Sequence, residues 1–212
     1  CPRCGGARIR YLGLGTQRVE EEVRRRFPAA RVLRWDRDTA RSAAAHEALL
    51  QAFAAREANI LVGTQMIAKG LDLPHVTLVG VVNADIALHR PDFRAGERAF
   101  QILTQVAGRA GRGERPGRVI IQTYSPQHYA VQAAAHHDYE ALYQAEIDLR
   151  RCAGYPPFGR LARLVFAHTN AAYAQQEARR LAQELDVERR RRGIPGVQVI
   201  GPAPALFERL RG

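Results

Sequence analysis

Lysine is almost missing from this 212-residue chain: Lys69 stands alone, and the other 31 of the 32 Lys and Arg residues are arginine. A phosphate cradle of the GxxxxGK[ST] type needs its lysine directly after a glycine, and Lys69 follows Ala68, so the chain holds no such cradle. Cysteine is scarce as well, and three residues cannot build a disulfide framework. No apolar run approaches the roughly 18 residues of a membrane span, and the first residues lack the charged-then-apolar layout of a signal peptide. A cytoplasmic globular protein of one or two domains is expected, with no membrane partner. Acidic residues are outnumbered, 21 against 32, and the net charge of +11 suits a polyanion such as nucleic acid. The arginine bias itself has two readings, coding composition or bidentate phosphate contacts.

What cysteine there is lies in a pattern. Cys1 and Cys4 form "CPRCGG", a knuckle that turns two thiols toward one tetrahedral ion, although zinc needs four ligands and Cys152 is remote. Half of a zinc site, with its other ligands upstream, is favoured over a pair of free thiols. A knuckle at the first residue and the lack of a starting Met read as a piece of a longer protein.

Five apolar or β-branched runs recur: "IRYLGLG", "RVLRW", "NILVG", "VTLVGVV" and "RVIIQTY". Most are separated by one helix-length segment, the signature of an α/β fold with a parallel sheet covered by helices on both faces. The first helix follows Thr16, with Val19, Val23 and Phe27 on one face and Arg24 to Arg26 in its last turn. A second, about 40 to 56, buries Leu49, Leu50 and Phe53; a third, about 94 to 110, carries Phe100, Leu103 and Val106 on one stripe. A helical stretch follows, then "GYPPFGR", whose prolines make a boundary. Beyond it lie a strand "LARLVFAH", a long helix from about 170 to 192 and a strand "VQVIG", a second, α+β domain that is cut short.

In open parallel sheets, ligands collect beyond the carboxyl ends of the strands. The first such loop, "GLGTQ", opens a helix at Thr16, where free N–H groups suit a phosphate and where a plain capped turn is the blander reading. The second, "GTQMIAKGLDLP", repeats the Gly-Thr pair at Gly63 and Thr64 and adds Gly70 and Asp72; a surface loop with a capping Asp72 is its alternative. The third is "TQVAGRAGR". Arg109 and Arg112, three apart, share a face if the helix persists, with Gln105 one turn earlier. Two guanidiniums presented together can stabilise the charge spread over a transferring phosphoryl group; a solvated helix end is the competing reading.

Taken in order, these loops resemble the second, RecA-like motor lobe of superfamily 2 helicases, a three-layer αβα unit. "GLGTQRVEEEV", "WDRDTA", "ILVGTQMIAKGLDLPHVTLVGVVNAD", "PDFRAGERAFQILTQVAGRAGR", "YPPF" and "VIGPAPA" look more closely like consecutive blocks of the PriA family of replication-restart helicases. The resemblance implies residues 1–8 as the end of a zinc-binding insertion, 9–125 as the lobe, 126–160 as a helical connector and 161–212 as a truncated C-terminal domain. It implies an arginine finger at Arg112, with Arg109 beside it on the γ-phosphate and Gln105 at the contact between lobes. Asp72, after Gly70, is implied at the nucleotide ribose, Thr16, Gly63 and Thr64 on DNA phosphates, and Cys1 and Cys4 on zinc. It further implies 3′ to 5′ unwinding, ATP with Mg²⁺ held mainly by an absent first lobe, branched and single-stranded DNA, the single-strand binding protein and primosome proteins as partners, and a nucleoid-associated location. The second reading is a basic module that binds DNA or protein without hydrolysis; it leaves Gln105, Arg109 and Arg112 unexplained.

Four other features read as structural. Trp35 is expected to pack at a strand end, His136 and His137 to lie on the surface and Cys152 to be an inert thiol, while Arg189 to Arg192 read as the solvated tail of a long helix in preference to a DNA-contacting patch.

Overall fold

The computed structural model describes residues 15–68, 73, 75–111 and 116–204. Cys1, Cys4, Gly70, Asp72 and Arg112 lie outside them, as does the run at 9–12 expected to form the first strand.

The other four runs of the first unit each give a four-residue strand: β1 (Val32–Trp35), β2 (Ile60–Gly63), β3 (Leu78–Val81) and β4 (Arg118–Ile121). β1 pairs with β2 in parallel from Val32 opposite Ile60 to Trp35 opposite Gly63; β3 pairs with β4 from Leu78 opposite Arg118 to Val81 opposite Ile121. Parallel neighbours need a long crossover, and helices supply it: α2 (Ala43–Ala54) between β1 and β2, α3 (Asp85–Leu88) and α4 (Ala95–Ala107) between β3 and β4. The α/β class is therefore as expected. Among the described residues no ladder joins the two pairs.

Helix α1 (Thr16–Arg26) closes on Arg24, Arg25 and Arg26, cations placed at the negative end of the helix dipole. Val19 and Val23 are half-buried, but Phe27 is 57% exposed: the backbone leaves the helix there, so it cannot continue the apolar face. Helix α2 starts three residues later than expected because Ser42 caps it, its hydroxyl accepting the Ala45 N–H at 3.2 Å. Leu49, Leu50 and Phe53 are half-buried there, not fully buried. Helix α4 buries Phe100 and Leu103 and stops at Ala107, earlier than expected. Gly108 leaves the helix and Gly111 takes the left-handed φ of +74°, which ends any continuation.

Phe100 and Leu103 pack with Leu88, Val131 and Leu142 in one core shared by α3, α4, α5 (Tyr129–His136) and α6 (Tyr139–Ala153). Asp138 separates α5 from α6 and caps the latter, accepting the Ala141 N–H at 2.9 Å. Contacts divide the chain into two compact units, the first ending at Gly159 and the second beginning at Arg160.

In the second unit α7 (Ala171–Arg191) forms as expected, capped by Asn170. The strands expected at 161–168 and 197–201 do not form. Both runs are exposed apart from half-buried Val199, and a run becomes a strand only when a neighbour pairs its N–H and C=O groups. No such neighbour exists among the described residues.

Candidate functional site

Because Trp35 lies opposite Gly63, β1 and β2 end together, and the residues that follow them, Asp36 and Thr64, occupy one rim. Trp35 is buried and its Nε1–H donates to His46 Nδ1 at 2.8 Å, the packing role expected of it.

Asp36 organises this rim and is 6% exposed. Its Oδ1 accepts the N–H groups of Asp38 (2.9 Å) and Thr39 (3.1 Å), while its own N–H donates to Thr39 Oγ1 at 2.9 Å. Its Oδ2 accepts the hydroxyl of Thr16, the first residue of α1, and lies 3.2 Å from Arg34 Nε. The Thr16 hydrogen bond is the largest influence holding the Asp36 carboxyl below the ordinary carboxylate range; burial opposes it, and the Thr39 and Asp38 N–H groups and Arg34 add to it. Asp36 thus brings Thr16 to the rim that carries Gly63 and Thr64. The N-cap of α1 is Gly15, which has no side chain to cap the first turn.

Gly63 has a packing reason of its own. A Cβ there would come within 2.4 Å of the Trp35 carbonyl oxygen, so the strand end admits only glycine without a backbone shift. Thr64 is exposed, and its carbonyl accepts the Ile67 N–H at 3.1 Å to start the 3-10 turn Gln65–Ala68, which packs against α4.

Beyond the second pair of strands, another buried acid opens α3. Asp85 accepts the Thr123 hydroxyl and the Tyr124 N–H, both at 3.0 Å, and its N–H donates to Asn83 Oδ1. Burial pushes its carboxyl up, but these bonds and His89 outweigh that and leave it below the usual range. It clips the exits of β3 and β4 together.

Gln105 is exposed on α4 and Arg109 half-buried just beyond it, its N–H donating to the Val106 carbonyl at 3.1 Å. The shared helical face expected for Arg109 and Arg112 required a helix that persists, and α4 has ended by then. The turn is held instead by Gly111, whose N–H donates to the Val76 carbonyl at 3.0 Å beside the entry to β3.

The described residues therefore gather Thr16, Gly63 and Thr64 at one rim and present Gln105 and Arg109 at the exit of α4. Sequence reasoning missed Asp36 and Asp85; an acid directly after a strand was a readable signal for Asp36, whereas Asp85 lies four residues beyond β3. Among the described residues no cluster of three His, Cys, Asp or Glu side chains could hold a metal ion. His136 and His137 are exposed, as is Cys152. Arg189 to Arg192 are all paired with Asp186 or Glu188 on their own helix. No described helix is long and apolar enough to cross a membrane.

Residues 15–114, which carry β1, β2, β3 and the arginine-bearing turn after α4, match the helicase conserved C-terminal domain. Residues 151–212 match the primosomal protein N C-terminal domain. The chain is 50% identical over 211 residues to the replication restart protein PriA of Bacillus subtilis, 46% over 210 to that of Synechocystis and 38% over 212 to that of Haemophilus influenzae. These alignments cover 100%, 99% and 100% of this chain but only 26%, 25% and 28% of the relatives, so it spans about a quarter of their length. The chain belongs to the PriA family.

Proposed function

We propose that the chain is the second motor lobe and part of the C-terminal domain of an ATP-dependent 3′ to 5′ DNA helicase that recognises stalled or branched forks and initiates primosome assembly for replication restart. The match of residues 15–114 to a helicase domain, with Gln105 and Arg109 at the exit of α4, carries this reading. Residues 9–125 are the lobe, layered as αβα, residues 126–160 the connector and residues 161–212 part of the C-terminal domain.

Each site residue has a role in it. Arg112 is the arginine finger, Arg109 contacts the γ-phosphate and Gln105 meets the other lobe. Asp72, beside Gly70, contacts the ribose, while Thr16, Gly63 and Thr64 hold phosphates of the tracked strand. Mg²⁺ and most of the ATP contacts belong to a first lobe, because no phosphate-cradle lysine exists here. Cys1 and Cys4 supply two thiolates to zinc. The partners are branched and single-stranded DNA, the single-strand binding protein and primosome proteins, and the setting is cytoplasmic and nucleoid-associated. The isolated chain hydrolyses no ATP.

The test is strand displacement by the full-length gene product on duplexes with a 3′ or a 5′ single-stranded tail. ATP-dependent displacement from the 3′-tailed duplex supports the reading; DNA binding with no hydrolysis on any substrate overturns it.

A further inference from the structure

We infer that Asp36 is a positioning residue that competes with a DNA phosphate for the single hydroxyl proton of Thr16, an inference that rests on the DNA reading of this rim. A threonine hydroxyl has one proton to donate, and an ionised phosphodiester offers acceptors alone. Here that proton is already given to Asp36 Oδ2. The hydroxyl cannot serve both at once, so Thr16 contacts a phosphate through its side chain only after leaving Asp36.

The exchange is close to balanced. Both bonds are charge-assisted, since each acceptor is an anion. Asp36 is not orphaned when Thr16 turns away: Oδ2 keeps the charge of Arg34, whose Nε lies at 3.2 Å as an ion pair without a hydrogen bond, and Oδ1 keeps the N–H groups of Asp38 and Thr39. The negative charge of Asp36 also sits beside the incoming phosphate and opposes it. Asp36 therefore weakens the DNA contact in the free protein and sets how strongly a phosphate must bind to claim Thr16.

Asparagine separates these effects. In Asp36→Asn the side-chain oxygen still serves the Asp38 and Thr39 N–H groups, while its NH₂ donates to Thr16 Oγ1 and frees the hydroxyl proton. Asp38→Asn removes the same charge from the same turn, where the exposed Asp38 bonds Asp36 through its backbone N–H. The 212-residue chain is titrated against a dye-labelled oligothymidine by fluorescence anisotropy at fixed salt. Asp36→Asn is expected to tighten binding about three- to tenfold, Asp38→Asn by less than about twofold, and the difference to vanish in a Thr16→Val background. An Asp36→Asn gain no larger than that of Asp38→Asn, or one that survives Thr16→Val, overturns the inference and leaves the DNA reading intact. No binding by wild type or any variant overturns both. If Asp36→Asn does not fold, carboxyl titrations by NMR on wild type decide: bound oligothymidine must raise the Asp36 pKa more than that of Asp38, and an equal rise overturns the inference.

Discussion

Arg150, near the end of α6, donates through Nη2 to Glu97 in the first turn of α4 at 2.9 Å, across 53 residues of sequence. Its Nε donates to Glu146 at 3.0 Å, and Glu146, 7% exposed, also accepts the Tyr129 hydroxyl at 2.8 Å. The guanidinium further lies 5.2 Å from the centre of the Phe93 ring. One cation thus ties α6 and α5 to the start of the helix whose other end carries Gln105 and Arg109. Removing it strands Glu146 in a buried place without its counter-ion. Arg150→Met is expected to cost about 2 to 4 kcal/mol of stability, and urea denaturation measures it. A loss under about 0.5 kcal/mol, the level of an ordinary surface change, would show that the tie holds nothing.

Gly63→Ala is expected to destabilise the first unit by about 1 to 3 kcal/mol, since the added Cβ meets the Trp35 backbone carbonyl and not the end of a flexible side chain. Thr64→Ala, at an exposed position, should leave stability within about 0.5 kcal/mol while weakening oligothymidine binding. Equal unfolding midpoints for Gly63→Ala and wild type would contradict the close approach of β1 and β2.

His128 gives the stability a pH dependence. Its Nδ1 accepts the Ala130 N–H at 3.2 Å at the start of α5, which requires that nitrogen to be unprotonated. Burial pushes the His128 pKa down, nearby His89 adds to this, and Glu146 and Asp85 oppose it in part. With the folded pKa below the unfolded one, the folded state binds fewer protons. The contribution is full above the unfolded value of about 6.5 and is lost as pH falls from there to the lowered folded value. Urea midpoints should therefore drop between about pH 7.5 and pH 5.5 in wild type. His128→Asn keeps a capping acceptor with no titration and should flatten that slope; an unchanged slope would remove His128 as its source.

The periodicity of the chain revealed the longer helices and four short strands because recurrent apolar spacing displays a face even where, as in α1, α2 and α7, no residue becomes fully buried. It misplaced helix ends where single residues decide: Ser42 delays α2, and Gly108 and Gly111 stop α4 before the second arginine. It read strands at 161–168 and 197–201 from short apolar runs, which say nothing of whether a partner is at hand to pair them. The rim loops were legible as Gly-Thr pairs after strands. The link from Thr16 to Asp36 was not, because twenty residues separate them and only the packing of α1 against β1 brings them together.

In the proposed function, the arginines after α4 complete a nucleotide site. The most direct test is the DNA-stimulated ATPase rate of the full-length gene product carrying Arg109→Ala or Arg112→Ala, measured beside DNA affinity. The Arg112 variant is expected to lose about 10³- to 10⁵-fold in hydrolysis, the Arg109 variant to be strongly impaired, and both to bind DNA almost as wild type does. Hydrolysis near the wild-type rate in both variants, or parallel loss of hydrolysis and DNA binding, would contradict that role.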